Sequence, residues 1–509
     1  MLTQNEYGFS VENDNPFLIF PYLQKISKEA VGEANVIDLS RGDPGYNFTP
    51  SIKGRQFFSY LIFLDSYFNA HDDRFIYLKR DQINEIFNQI EKITKENYSS
   101  NKTKENIENL NFFIDKIIEI TNKQDLNYDK YDVLYNIFKY CTVSGGNYTD
   151  PFGEPFTRAV VADWHQQILS TKIDYKDIIF TNGASQAIGS IFKLLGKIGI
   201  NYLREHDKVM VISPVYSPYN KTCENLGLKT ISISVDPITG EINPRSIEMM
   251  KTYQGEVRAI VLVDPSNPTG FPLSEDILKK ISNFAKEKNS IVITDEVYSA
   301  FFPKKKTILD YCPERTIRIN SRSKIEKSTG LRFGDITVAK EGQKYITENI
   351  LKDYLWKNID IMRALIMAKG PGGSQGEFQH TTFVPAPMQI LGISHIILGK
   401  EEREIYRDSV ANNRDGFYKI LDLPHKGNNY YVLFDLNKIQ GCKKKHIPIE
   451  QKLIDLAKKG VVYIPSLNFF SEQDKAEEDY RHTVRASVVN APLIKIKEAA
   501  QITKAYLCS

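Results

Sequence analysis

Between about Asp174 and Ile319 the chain alternates short apolar runs with longer stretches of helical period. The runs are "DIIF" ending at Phe180, "VMVIS" ending at Ser213, "AIVLVD" ending at Asp264, "IVITDE" ending at Glu296 and "TIRIN" ending at Asn320. Each is rich in Val and Ile and short, as strands buried on both faces are. Between them lie segments such as "SEDILKKISNFAKEKN" (Ser274–Asn289), with a serine at the start and charges paired four apart, which predicts a helix. The alternation predicts an α/β fold with a mostly parallel sheet, in which ligands bind at the C-terminal ends of the strands.

The flanks read differently. From Gly54 to Tyr140 the chain is rich in Asn, Lys, Glu and Ile with helical spacing, which predicts a helical insertion. From about Gly399 to Ser509 a helical stretch, "EEREIYRDSVANNRDGFYKIL", precedes strand-like "NYYVLFDL" and "GVVYIPS", which predicts a smaller α+β domain.

Composition narrows the partners. At 509 residues the chain is long enough for two or three domains. Its 66 basic and 63 acidic residues nearly cancel, to a net charge of +3, so neither nucleic acid nor a membrane surface is expected as the main partner. The five cysteines, Cys141, Cys223, Cys312, Cys442 and Cys508, lie at no metal-knuckle or CxxC spacing; no metal site is expected, and the sparse odd set fits a reducing compartment. "PFLIFPYL" (Pro16–Leu23) is too short to span a bilayer. A cytoplasmic location is expected.

Candidate chemistry gathers after each run. After "IIF", Gly183, Ala184 and Ser185 open a helix, where free backbone N–H groups suit an anion; many strand–helix turns carry glycine without binding anything. Tyr216 follows the second run and offers a face to a flat ring, or simple packing. "PSNPTG" (Pro265–Gly270) is a Pro–Gly turn that would hold the Asn267 amide. "DEVY" puts Asp295 at the end of a buried strand, where a carboxylate needs a cation or donors, with Tyr298 three residues on. After the fifth run "SRSKIEKSTGLRFG" supplies Ser321, Lys324 and Arg332, with Lys327 read as solvated. A pyridine ring carrying a phosphate and an aldehyde would use every one of these groups.

"NPTG", "DEVY" and "SRSKIEKSTGLRFG", in that order, resemble the class I/II aminotransferases, pyridoxal-phosphate enzymes of the aspartate aminotransferase fold. "HTVRASVV" resembles the family's carboxylate-binding segment. The resemblance implies that Lys324 forms the internal aldimine with pyridoxal 5'-phosphate and later moves the Cα proton. It implies that Asp295 pairs with the pyridinium nitrogen, that Asn267 and Tyr298 bond the ring hydroxyl oxygen, and that Tyr216 stacks on the ring. Ser185, Ser321, Arg332 and the backbone from Gly183 through Ala184 would hold the phosphate. Tyr148, in "GGNYTDPFG", would reach the phosphate of a neighbouring subunit, which implies a homodimer or higher homo-oligomer. Arg485 would bind the substrate α-carboxylate as a bidentate fork.

A narrower likeness is to the bacterial aspartate β-decarboxylases that also transaminate. It rests on "DLSRGDPGYNFTPSIKGRQFF", the long insertion after it, "FQHTTFVPAPMQ" and "YYVLFDL". It implies that Arg41 and Gly42 lie in the substrate loop. The chain departs from that pattern in Asp43-Pro44-Gly45 and in lacking an arginine shortly before His380-Thr381. The implied layout is an N-terminal arm and substrate loop over 1–53, part of the small domain, a helical insertion over 54–140, a large cofactor domain over 141–395 and a small domain over 396–509. The expected reaction passes an amino group from an L-amino acid to a 2-oxo acid. Aspartate β-decarboxylation and a cofactor-binding regulatory protein are the alternatives.

Overall fold

The computed structural model describes residues 7–44, 51–70, 79–141, 149–236, 240–303, 305–355, 359–369, 384–423, 430–477 and 479–509. Among these, nine strands have five or six residues: β1 (Ile178–Asn182), β2 (Lys208–Ser213), β3 (Lys229–Ser234), β4 (Ala259–Val263), β5 (Ile291–Asp295), β6 (Thr316–Ser321), β7 (Phe333–Thr337), β8 (Tyr431–Asp435) and β9 (Thr483–Ser487). The chain divides into two compact units, one of residues 1–48, 201–317 and 405–509, the other of 49–200 and 318–404.

In the first unit β3, β2, β4 and β5 lie side by side in that order, all parallel, with Val209 opposite both Thr230 and Ala259, and Val263 opposite Asp295. Every residue of β4 and β5 is buried, which is why these strands read as unbroken apolar runs. The Glu275–Glu287 helix covers this sheet: Ser274 caps it by accepting from the Ile277 N–H, and Ile277, Leu278, Ile281 and Phe284 are its buried stripe. They share a core with Met210, Ile260, Leu262 and Val292. Each such side chain contributes about 1.5–3 kcal/mol by leaving water. The same unit holds an antiparallel sheet in which β9 lies between β8 and Ile464–Pro465, with Arg485 opposite Leu433 and Ile464.

In the second unit β7 pairs antiparallel with both β1 and β6. Four helices, Ile52–Ala70, Ile83–Asn97, Ser100–Asn122 and Lys130–Cys141, occupy the stretch read as helical. Ile86, Ile90 and Ile93 on one, and Leu110, Phe113, Ile114 and Ile117 on another, are buried at spacings of three and four. The α/β class with a mostly parallel sheet is as predicted; β3 and β7 are strands the apolar runs did not reveal.

Candidate active site

In the first unit the strand ends gather acid, amide and guanidinium. Asp295 closes β5 and is only 4% exposed. Its Oδ2 accepts from the Tyr219 hydroxyl at 3.1 Å, and its Oδ1 from the Val297 N–H at 3.3 Å. Burial, reinforced by that carboxylate, pushes the Tyr219 phenol well above its ordinary pKa, so it stays a proton donor. Tyr219 lies in the Ser217–Asn225 helix, one turn after Tyr216, which is half-buried with its ring edge-on to Tyr219 at 6.4 Å.

The Pro265–Gly270 turn is closed by Gly270 N–H to the Ser266 carbonyl at 2.8 Å and Ser266 N–H to the Phe271 carbonyl at 2.9 Å, with Gly270 at φ +75°. It presents Asn267, 4% exposed, whose Oδ1 accepts from Arg485 Nη1 at 2.9 Å. Arg485 is itself buried on β9. Its Nη2 donates to the Ser40 carbonyl at 2.8 Å, and its guanidinium lies 4.2 Å from the Tyr431 ring centre. Its Nε is buried with no hydrogen-bond acceptor. A buried donor left unpaired costs about 1–3 kcal/mol, so this edge of the fork suits an incoming carboxylate oxygen.

Tyr431 links two predicted residues: below the Arg485 guanidinium by its ring, it also bonds the Tyr298 hydroxyl at 2.9 Å. Burial first, and this pairing second, hold the Tyr298 phenol well above its ordinary pKa. Gly42 accepts the Tyr430 hydroxyl at 3.1 Å through its carbonyl. The Arg41 side chain is half exposed and pairs with Asp38 at 3.1 Å. Tyr219 and Tyr431 were missed from the sequence. Tyr219 is a turn beyond Tyr216, and Tyr431 is the third residue of "NYYVLFDL", a run read as a strand and as part of the narrower likeness with no role for this tyrosine.

The second unit holds the glycine turn and the lysine. Gly183, at φ +75°, opens the Gly183–Leu195 helix. A Cβ there would meet Arg332 Nη2 at 2.6 Å, so only glycine lets the guanidinium lie against the helix start. Arg332, at φ +56°, is exposed and steadied by donation to the Thr329 carbonyl at 3.1 Å and the Asn182 carbonyl at 3.4 Å. Ser185 is exposed and Ala184 half-buried on the first turn of that helix. A helix N-terminus and a guanidinium in one place favour an anion. Ser321, by contrast, is buried, its hydroxyl donating to Ser323 Oγ at 2.8 Å and to the Phe333 carbonyl at 3.2 Å. Lys324 is half-buried in the turn after β6. Lys327 is not the fully solvated residue expected: it is half-buried at φ +52°, and desolvation lowers its ammonium pKa. Tyr148, residues 45–50 of the substrate loop and residues 378–383 of "FQHTTFVPAPMQ" lie outside the described residues.

Beneath the lysine turn is a buried polar network. Asp335 on β7 accepts from His165 Nε2 at 2.8 Å and Arg322 Nη2 at 3.1 Å, and Arg318 Nη1 lies 3.0 Å from His165 Nδ1. Burial, with Arg318 and Arg322 adding to it, pushes the His165 pKa down to about 3 despite the Asp335 carboxylate. Burial alone would raise Asp335, but His165, Arg322 and Arg318 hold it well below the usual carboxylate range.

Residues 142–497 match the family model described as aminotransferase class I and II. The chain belongs to the class I and II aminotransferase family. It is 34% identical over 172 residues to the probable N-acetyl-LL-diaminopimelate aminotransferase of Bacillus subtilis, covering 33% of this chain and 42% of that protein. It is 24% identical over 286 residues to the bifunctional aspartate aminotransferase and L-aspartate beta-decarboxylase of a Pseudomonas species, covering 52% and 53%. The chain thus spans about half the length of the curated relatives it matches. The structure of alanine aminotransferase from Pyrococcus furiosus has the same fold, with a TM-score of 0.64 at 17% identity and 99% of each chain covered. Members of the family use pyridoxal phosphate. Within each unit the residues present fit a part of that chemistry: in the first a buried carboxylate suits a ring nitrogen that must keep its proton and the unpaired Arg485 Nε suits an amino-acid carboxylate, and in the second the Gly183–Arg332 juncture suits a phosphate.

Proposed function

We propose that the protein is a pyridoxal-phosphate-dependent aminotransferase that moves the amino group of an L-amino acid to a 2-oxo acid. The observation that carries this reading is the pairing, in one compact unit, of buried Asp295 with a buried Arg485 whose Nε has no acceptor. One suits a cationic ring nitrogen and the other a carboxylate. Family membership over residues 142–497 supports it.

When bound, the cofactor supplies an electron sink that acidifies the Cα–H of an attached amino acid. The chain's residues do the rest. Lys324 would hold the cofactor through its Nζ and would be the base that takes the substrate Cα proton and returns it one carbon along. Asp295, charged and buried, keeps the ring nitrogen protonated, with the Tyr219 hydroxyl sharing its charge. Asn267 and Tyr298 would hold the ring oxygen, and Tyr216 would lie against the ring. Arg332, the Gly183 turn and Ser185 would hold the phosphate, and Ser321 would join them by turning its hydroxyl away from Ser323 and Phe333. Arg485 orients the substrate carboxylate, held in place by Asn267, the Ser40 carbonyl and Tyr431. Arg41 and Gly42 border the substrate. Tyr148 completes the phosphate site of a partner copy, so the working unit is at least a homodimer.

Likeness to the bifunctional Pseudomonas protein over 286 residues supports aspartate as one amino donor and β-decarboxylation as a second reaction. We place the protein in the cytoplasm: among the described residues four cysteines are unpaired, and no helix is long and apolar enough to cross a membrane. The test is spectroscopic and chemical. Purified protein given pyridoxal phosphate is expected to show an absorption band near the visible that Lys324→Ala lacks, and to convert amino donors only with a 2-oxo acid present. Release of carbon dioxide and alanine from L-aspartate without an acceptor would favour the lyase. A protein that binds no cofactor would overturn both.

A further inference from the structure

Lys324 lies in a turn whose two neighbours at distance two are buried charges. Two residues before it, Arg322 is 1% exposed, and two residues after it, Glu326 is 1% exposed. Arg322 Nη2 bonds Asn320 Oδ1 at 2.8 Å and Asp335 Oδ2 at 3.1 Å, and its guanidinium centre lies 3.7 Å from the Trp164 ring centre. Asp335 in turn is fixed by His165 and by the Thr337 hydroxyl at 3.0 Å. Glu326 accepts from Arg403 Nη1 at 3.0 Å, and Arg403 also donates to the His395 and Ile396 carbonyls at 2.8 and 2.9 Å. The backbone joins the two pairs: the Arg322 carbonyl accepts from Glu326 N–H at 3.1 Å and Ser328 Oγ at 3.2 Å, and Arg322 N–H donates to the Phe333 carbonyl at 2.9 Å.

Buried ion pairs are weak sources of stability, because desolvation offsets their attraction, but they do fix geometry. The turn's other buried side chains are neutral: Ile325 at 1% exposure, Ser323 at 7% and Ser328 at 4%. We propose that Arg322 and Glu326 are positioning residues for Lys324. Their pairs with Asp335 and Arg403 clamp the turn on both sides, so that the lysine amine is presented in one orientation. This rests on the reading of Lys324 as the cofactor-binding lysine. A clamp fits that role, since the same amine must form a bond, leave it and move a proton without losing its place.

The test compares Glu326→Leu/Arg403→Met, which removes a whole pair, with Glu326→Gln and Arg322→Lys, which keep a hydrogen bond. Lys324→Ala tests the underlying reading separately: if wild type and Lys324→Ala respond alike to pyridoxal phosphate, that reading fails, whatever the other variants do. Given a wild-type band that needs Lys324, the double variant is expected to keep a near-normal melting temperature without cofactor. Its rate of band formation should fall at least tenfold, and its kcat should fall with KM unchanged. Glu326→Gln and Arg322→Lys should lie between. A folded double variant with band-formation rate and kcat within twofold of wild type would overturn the clamp. If that variant does not fold, wild-type rates in both conservative variants would overturn it equally.

Discussion

Tyr219 and Asp295 share a proton donor and an acceptor 3.1 Å apart, both buried at the end of the parallel sheet. A hydrogen bond to a charged group contributes about 1.5–3 kcal/mol, more than a neutral one. Tyr219→Phe is therefore expected to destabilise the cofactor-free protein, and the cost should shrink when Asp295 is already Asn. Urea unfolding of the four members of this cycle measures the coupling. Additivity within about 0.5 kcal/mol would show that the two side chains act independently.

Why the sequence led to Asp295 but not to its partner is a matter of distance along the chain. A carboxylate at the end of an all-buried strand is an anomaly visible from one residue and its neighbours. Its solution lies 76 positions upstream, and no local pattern marks a tyrosine on a half-polar helix. The strands follow the same rule. β4 and β5, buried on both faces, announced themselves as apolar runs. β3, "KTISIS", intersperses polar residues with its isoleucines and is exposed at Lys229 and Thr230, and β7, "FGDIT", carries a glycine and an aspartate. Asp335 is tolerated there because His165, Arg322 and the Thr337 hydroxyl all bond it, His165 from 170 positions away. The roles of Lys324 and Arg485 came from motif order, and geometry then added the Arg485 contacts to Asn267, Ser40 and Tyr431.

Removal of the Arg485 fork should act on substrate binding far more than on the cofactor. Losing one partner of a buried charge pair costs about 2–5 kcal/mol. Arg485→Ala is expected to raise KM for the amino donor by roughly 30-fold or more, since each 1.4 kcal/mol is tenfold. The absorption band of the bound cofactor should stay. Arg485→Lys should recover little, because an ammonium lacks the planar fork. An unchanged KM in the alanine variant would remove Arg485 from the substrate site.

Two glycines on one helix separate conformational strain from helix propensity. A Cβ at Gly183 meets Arg332 Nη2 at 2.6 Å on a backbone at φ +75°, whereas one at Gly189 meets nothing within 4 Å. Gly189→Ala should leave cofactor affinity alone and stabilise the protein by about 0.5–1 kcal/mol. Gly183→Ala should displace Arg332 and weaken pyridoxal-phosphate binding, with little change for pyridoxal, which lacks the phosphate. Equal losses for both compounds would place the defect elsewhere than at a phosphate site.

His395 sets an acid limit on stability. It is 2% exposed in the Ala386–Leu398 helix, both ring nitrogens lack partners, and Gly54 packs against it so tightly that a Cβ would come within 2.6 Å of the ring. Burial first, then the cations of Arg55, Arg403 and Lys327 against the lone opposing carboxylate of Glu402, push its pKa down to about 4. Between that value and its unfolded value near 6.5 the unfolded chain binds the proton and the folded chain does not. Stability is therefore full above about pH 6.5 and falls as pH drops towards 4, by up to about 3 kcal/mol at 1.36 kcal/mol per unit. His165, held neutral for the same reason, adds a loss that continues to lower pH. His395→Leu removes the first contribution only. Its melting temperature is expected to fall less than that of wild type between pH 7 and pH 4.5, and a parallel decline in the two proteins would show that His395 does not titrate on unfolding.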